Sequence, residues 1–354
     1  MRPSQFRRLV SGEWRGPGPT LVRAALAALA VPYTAAVRMR NRRYDAGRAP
    51  VTRLEVPVVS VGNITLGGTG KTPTVEWLAR WFAGRGVRVG VVSRGYRSKE
   101  GRPNDEALEL AQKLPDLAHV ADTDRVRGAR QAVGRFGCQL LLVDDGFQHR
   151  RLARDFDLVL IDALEPFGFG HVFPRGTLRE PLSGWARADA LMLTRADMVD
   201  APGRAEIREH VTRYAPAALW LEATHAPQAL LSASGAEQPL ETLAGQRIAA
   251  FCGIGNPAGF RHSLAHCRYQ VAASVEFADH MHYTPEDIRE IARWADALDV
   301  AAVLCTHKDL VKVGEHWTCN IPLWALAIRL EILAGQAPFE AALGRLAQRA
   351  LEPR

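Results

Sequence analysis

Residues 56–80 read VPVVSVGNITLGGTGKTPTVEWLAR: an apolar strand, a glycine-rich turn and an amphipathic helix, in that order. Gly67, Gly68, Thr69 and Gly70 bring consecutive backbone N–H groups into a short arc, and the missing Cβ atoms let a bulky anion approach them closely. The helix that follows adds the positive end of its dipole. Lys71 and Thr72 come directly after the turn, a long cation to reach outlying oxyanions and a hydroxyl suited to Mg²⁺. The common pattern is G-x-x-x-x-G-K-[ST]. Thr65 holds its first position here, and the flanking strand and helix supply the context the motif requires. Thr65, Leu66, Gly67, Gly68, Thr69, Gly70, Lys71 and Thr72 are therefore expected to cradle the phosphates of a nucleoside triphosphate. The chain has five lysines (Lys71, Lys99, Lys113, Lys308 and Lys312) and arginine carries nearly all its other positive charge, so a lysine in this loop is no by-product of composition.

Short apolar runs at 56–61, 87–92, 140–143, 158–161, 190–193 and 218–221 alternate with helical stretches, which predicts a parallel sheet covered by helices. Ligands of such sheets bind beyond the carboxyl ends of the strands. The first strand is followed by the phosphate loop, the second by SRGYR (93–97) and the third by DDGFQHRRLARD (144–155). A carboxylate closing a buried strand opposite a phosphate loop is the Walker B arrangement, so Asp144 and Asp145 are both candidate Mg²⁺ ligands. Arg94 is either part of a strand-to-helix turn or a contact for phosphate. Arg150, Arg151 and Arg154 either bind the substrate phosphate or form a solvated helical face, the second reading being favoured for Arg154.

With 354 residues the chain has room for about two domains. Hydrophobic residues at 47% and charged residues at 23% describe a folded globular protein. QRIAAFCGIGNPAGF, from Gln246, begins a second, smaller α/β unit with parallel strands at 248–252 and 301–305 and a helix at 285–298 between them. Thr284 and Pro285 supply its cap and first turn. The expected boundaries are 1–45 for an N-terminal helix with basic flanks, 46–228 for the phosphate-loop domain, 229–246 for a linker and 247–354 for the smaller domain. The five cysteines are scattered without C-x-x-C spacing, which argues against a disulfide frame and a zinc site and for a reducing, cytosolic setting.

A formal charge of +7 suits a polyanionic surface. No basic motif interleaved with aromatics supports nucleic acid as the partner. Residues 21–37, LVRAALAALAVPYTAAV, are apolar and flanked by Arg7, Arg8, Arg15, Arg38, Arg40, Arg42 and Arg43. The run falls short of the ~20 apolar residues of a comfortable span and starts late for a signal peptide, so an interfacial helix and a marginal span both fit an anionic membrane. A soluble helix packed on the main domain is the alternative.

GNITLGGTGKTP, SRGYR, NDE (104–106), DDGFQHRRLARD, FCGIGNP (251–257), ADHMHYT (278–284) and THKD (306–309) occur in an order that resembles the tetraacyldisaccharide 4′-kinase family over about residues 14–311. The resemblance implies an α/β fold: a P-loop NTPase-like sheet, a second smaller α/β domain and an N-terminal membrane-associated helix. It implies transfer of the γ-phosphate of ATP to the 4′-hydroxyl of an acylated glucosamine disaccharide 1-phosphate, giving lipid IVA for lipid A, at the cytoplasmic face of the bacterial inner membrane. It also implies that Glu180, in LREP, joins the Mg²⁺ shell of Thr72 and Asp144 or Asp145. Asp105 would accept the proton of the sugar hydroxyl with His280, and Lys71 would neutralise charge on the transferred phosphoryl group. The family's G-D-E reads Asn104-Asp105-Glu106 here, its T-E-K-D reads THKD with His307 in place of the carboxylate, and His282 stands two residues from His280.

A membrane-bound regulatory ATPase or GTPase would carry a similar phosphate loop. LTRAD (193–197) is similar to the base-reading N/T-K-x-D turn of GTPases, with Arg195 replacing the lysine. Such a switch would activate water and need no sugar site.

Overall fold

The computed structural model describes residues 3–95, 110–279 and 281–352. By compactness the chain divides into Met1–Tyr96, Asp116–Thr224 and Ile332–Arg354 as one unit, and Arg97–Pro115 with His225–Glu331 as the other.

The first unit begins with helices α1 (Pro3–Val10) and α2 (Pro17–Asp45). There follow β1 (Val58–Asn63), α3 (Lys71–Ala83), β2 (Val89–Ser93), β3 (Ala118–Ala121), α4 (Arg125–Phe136), β4 (Leu140–Asp144), β5 (Phe156–Asp162), β6 (Ala190–Thr194) and α5 (Ala201–Thr212). Strand β7 (Leu219–Leu231) starts in this unit. The strand order is β7-β6-β5-β1-β4-β2-β3 and every pairing is parallel. Residues of β1, β4 and β5 are buried without interruption, as strands covered on both faces must be. The carboxyl ends of β1 and β4 lie side by side, with Val61 registered against Asp144.

Each expected strand of this sheet is present, with shifted ends. The first starts at Val58 rather than at residue 56, because Pro57 has no N–H to give a ladder and serves only through its carbonyl, which accepts from Leu141 N. The DDGFQHRRLARD segment leaves β4 as turns rather than as a helix. Arg154 is correspondingly no solvated helical residue: its guanidinium grips Asp157 from Nε and Nη2, both side chains about nine-tenths buried.

In the second unit β7 ends and pairs antiparallel with β8 (Glu237–Gln238). Then come β9 (Arg247–Cys252), α6 (Pro257–His266), β10 (Gln270–Glu276), α7 (Pro285–Asp296), β11 (Ala302–Thr306), α8 (His307–Val313) and most of β12 (Leu323–Ala334). Its strands run in the order β10-β9-β11-β12, all parallel. Thr284 and Asp287 cap α7 reciprocally, each side chain accepting from the other's backbone.

These units part from the sequence-based boundaries at three points. Arg97–Pro115, expected within 46–228, falls in the second unit. Residues 225–246 hold the end of β7 and all of β8, so they belong to the second unit. The last helix, α9 (Gln336–Leu351), belongs to the first: its fully buried Phe339 stacks on Trp77 of α3 with centroids 5.9 Å apart and tilts against Phe156 at 6.0 Å.

Candidate active site

Strand β1 delivers its last residues to the sheet edge, where Gly62 lies so close to the loop after β4 that a Cβ there would fall 2.6 Å from Cβ of Phe147. The Asn63 amide then turns back, donating to the Thr65 carbonyl at 2.7 Å, while its Oδ1 faces Lys71 Nζ at 3.5 Å. Thr65 is buried and Leu66 N donates to Thr177 O at 2.7 Å, so these two expected phosphate contacts are tied into the body. Gly67 and Gly68 are exposed at the turn. Gly70, in the left-handed region at φ 88°, starts α3, and Lys71 and Thr72 are the first two residues of that helix.

The carboxylates come from the neighbouring strand. Asp144 ends β4 and is buried; Asp145 follows in a left-handed conformation at φ 51°. The Asp145 carboxylate lies 3.7 Å from Lys71 Nζ and accepts from Arg179 Nη1 through both oxygens at 2.8 Å. Burial works to raise its pKa, but Lys71 and Arg179 together outweigh that and hold it below the ordinary carboxylate value. Arg125, buried at the start of α4, donates to Asp144 O at 3.3 Å and Asp122 O at 3.2 Å. Arg94 is exposed at the end of β2, near enough to Arg125 for the two charges to repel. His149 has its pKa lowered to about 4, chiefly by burial and then by Arg125 and Arg151, so it is neutral at pH 7.

Glu180 lies fully buried on the segment that flanks the phosphate loop, where Thr65 bridges to Leu178. Arg187 Nη2 donates to its two oxygens at 3.0 and 2.9 Å, Gln148 Nε2 at 2.9 Å and Asn41 Nδ2 at 2.9 Å. Gln148 Nε2 also reaches Asn63 O at 2.9 Å. The carboxylate is thus taken up by a guanidinium and two amides rather than turned out with Asp145. Arg150 pairs with Asp45 at 2.7 Å and donates to Asn41 O, while Arg151 is exposed.

In the second unit THKD forms the start of α8. Asp309 is fully buried and accepts from Tyr283 Oη at 2.9 Å, Gly253 N at 3.1 Å and Thr306 Oγ1 at 2.6 Å. Lys308 Nζ lies 3.7 Å from Asp279, and Lys312 Nζ donates to Met281 O at 3.1 Å. One short helix thereby holds Asp279, Met281 and Tyr283. His307 instead meets Gln112, and His282 is exposed. Asp105 and His280, the expected proton-transfer pair, lie outside the described residues.

A sequence model of the family described as Tetraacyldisaccharide-1-P 4'-kinase matches residues 22–348. This chain belongs to that family. The tetraacyldisaccharide 4'-kinase of Anaeromyxobacter sp. (strain K) is 38% identical over 363 residues, covering 96% of each chain. That of Geobacter sulfurreducens is 37% identical over 362 residues, covering 96% of this chain and 98% of the relative. Among solved structures, the ATP complex of LpxK from Aquifex aeolicus matches with a TM-score of 0.72 at 28% identity, over 92% of this chain and 99% of that one. The expected α/β fold agrees with that likeness.

The sequence singles out the loop and the two carboxylates, but not the side chains that contact them or their neighbours, Asn63, Arg125, Gln148, Arg179 and Arg187. Three of these carried a usable signal: Asn63 lies within GNITLGGTGKTP. Arg179 adjoins Glu180 in LREP and Gln148 lies within DDGFQH, both segments already marked by the resemblance. Arg125 looks like one more arginine of a basic helix until the fold buries it under Asp144.

Proposed function

We propose that this chain transfers the γ-phosphate of ATP to the 4′-hydroxyl of tetraacyldisaccharide 1-phosphate, forming lipid IVA. The observation that carries the reading is the placement of Lys71 beside Asp145 at the shared carboxyl edge of β1 and β4 in a chain of this kinase family. A switch ATPase does not account for a family match that runs through both units.

Lys71 and the loop N–H groups would hold the phosphates and offset their charge, which is where most of the rate of phosphoryl transfer arises. Magnesium suits the donors present. Thr72, Asp144 and Asp145 offer hard oxygen atoms, and the described residues include no cluster of three or more His, Cys, Asp and Glu able to hold a metal alone. That fits an ion that shares its shell with phosphates and water. When bound it supplies Lewis-acid neutralisation of phosphate charge. We assign Asp144 and Asp145 to its shell with Thr72, and give Glu180 the task of holding Gln148 and Arg187 in place, because Glu180 is fully buried with its oxygens taken by Arg187, Gln148 and Asn41, whereas Asp145 is partly exposed beside Lys71. Asp105, with His280, accepts the proton of the 4′-hydroxyl as its oxygen bonds to the γ-phosphorus and the bridging bond to ADP breaks.

Helix α2 is the one helix of the described residues long and apolar enough to cross a membrane. Tyr33 Oη donates to Arg179 O at 3.0 Å and Asn41 bonds Glu180, so its later half is fastened to the body. Residues 17–32, ahead of these two bonds, span about 24 Å at ~1.5 Å per residue, short of a ~30 Å hydrocarbon core. We therefore read α2 as an interfacial anchor at the cytoplasmic face of the inner membrane, its arginines set among anionic headgroups.

The test is incubation with tetraacyldisaccharide 1-phosphate, Mg²⁺ and γ-labelled ATP in detergent, followed by separation of the lipids. Label is expected in the lipid and is expected to vanish in Lys71→Ala. Label released only as inorganic phosphate would overturn the kinase reading.

A further inference from the structure

The LTRAD segment, which looks in sequence like a turn for reading a nucleotide base, makes a different set of contacts. Thr194 ends β6, fully buried, and its single hydroxyl proton is shared between the carbonyl of Thr69, the nearer at 3.0 Å, and that of Ile161 at 3.2 Å. Arg195 follows in a left-handed conformation at φ 56°, also buried; its Nη2 donates to the carbonyl of Gly68 at 2.7 Å and its Nη1 pairs with Asp162 at 2.8 Å. Two adjacent residues at the end of one strand thus take two adjacent carbonyls of the phosphate loop, 125 and 127 residues away in sequence.

We infer that Thr194 and Arg195 are positioning residues that set the phosphate loop in its anion-binding form. In a trans peptide the C=O and the next N–H point in opposite directions. Drawing the Gly68 and Thr69 carbonyls toward β6 turns the N–H groups of Thr69 and Gly70 the other way, into the cradle, and keeps two carbonyl oxygens from facing the phosphates. A glycine-rich loop needs such fixing because it is the segment with the most backbone freedom to lose. The left-handed turn at Arg195 lets consecutive side chains reach the same loop, and the forked guanidinium serves Gly68 and Asp162 at once, which a lysine ammonium on one stem does not. The segment therefore acts on the phosphates through the loop and leaves the base unread.

This inference rests on the loop being the triphosphate site, and the experiment keeps the two apart. Binding of MgATP, MgGTP and inorganic tripolyphosphate to the full-length protein is measured by calorimetry for wild type, Thr194→Val, Thr194→Ser, Arg195→Lys and Lys71→Ala, with thermal melting in the absence of ligand as a check on folding. Thr194→Val and Arg195→Lys are expected to weaken MgATP and tripolyphosphate by the same factor, about tenfold for one lost hydrogen bond, with the ATP-to-GTP ratio unchanged. Thr194→Ser, which keeps the hydroxyl, is expected to restore both. Should Arg195→Lys melt early, the Thr194→Val and Thr194→Ser pair decides the matter alone. Weakening of ATP with tripolyphosphate unaffected, or a shifted ATP-to-GTP ratio, would make the segment a base reader and overturn the inference. So would unchanged binding in Thr194→Val beside a Lys71→Ala that no longer binds. A Lys71→Ala that binds all three ligands as wild type does would overturn the loop reading itself and this inference with it.

Discussion

The guanidinium of Arg179 grips Asp145 through both carboxylate oxygens at 2.8 Å, although 34 residues separate the two in sequence. Lys71 lies 3.7 Å from the same carboxylate, so Asp145 is paired with two cations beside the phosphate loop. On the proposed reading a triphosphate and Mg²⁺ would meet charges already arranged here, which would save reorganisation when charge moves in the reaction.

The lowered pKa of Asp145 makes a prediction about stability. A carboxylate whose folded pKa lies below its unfolded value of ~3.9 stabilises the protein fully above that value and loses the contribution as pH falls through the folded pKa. Asp145→Asn should therefore melt below wild type at pH 7, and the gap should close as pH is lowered beneath about 4. Melting curves at pH 7, 5, 4 and 3 check this; a gap that stays constant over the series would separate Asp145 from the two cations.

Asp309 is fully buried and collects three donors, of which Tyr283 and Gly253 are buried and Thr306 half-buried. Tyr283→Phe removes one hydrogen bond and should cost about 1 kcal/mol, whereas Asp309→Ala strands all three donors and should cost about 3 kcal/mol or more. Urea unfolding measures both. Because the same helix holds residues on either side of position 280, Lys312→Met is expected to lower kcat while leaving the KM for ATP near that of wild type. A normal kcat in Lys312→Met would show that the anchoring of Met281 plays no part in turnover.

The parts of the site legible in the sequence are those encoded by local pattern. The glycines, Lys71 and Thr72 fall in one loop, and Asp144 closes a five-residue apolar strand, so strand and loop rules reach them without knowledge of the fold. Arg179, Thr194 and Arg195 act on residues 34, 125 and 127 positions away, distances at which no periodicity operates. LTRAD shows the same limit: its residue types resemble a base-reading turn, and only the path of β6 beside the phosphate loop shows that Thr194 and Arg195 touch loop carbonyls. The basic face expected around Arg154 failed because Asp157, three residues on, pairs with it before solvent can. Strands β10 and β12 and helix α9 were passed over because none of the motifs covers them, although WALAIRLEIL (324–333) has a near-continuous apolar run and Gly335 marks the turn from β12 into α9.

Helix α9 returns to the first unit through Phe339, which is fully buried between Trp77 and Phe156. Phe339→Ala leaves a cavity against the helix that carries Lys71, and a loss of about 3–5 kcal/mol is expected by the usual cost of such truncations. Calorimetric melting tests it. A loss below about 1 kcal/mol would mean that α9 contributes little to holding α3 on the sheet.

The exposed side chains of α2 carry the prediction about the membrane. Leu21, Leu29 and Val31 are between 60% and 70% exposed, far more than a helix packed on a soluble core would leave bare. Each apolar side chain moved from water into lipid contributes roughly 1.5–3 kcal/mol, and Arg38, Arg40, Arg42 and Arg43 add attraction for anionic headgroups. Leu29→Asp and Val31→Asp should each weaken binding to phosphatidylglycerol-containing vesicles by about tenfold or more, with the melting temperature in solution nearly unchanged because neither residue is in the core. Added salt should weaken the wild type further by screening the arginines. Equal vesicle binding by wild type and both variants in a flotation assay would place the apolar face of α2 against protein instead, and leave the basic residues to account for any lipid contact.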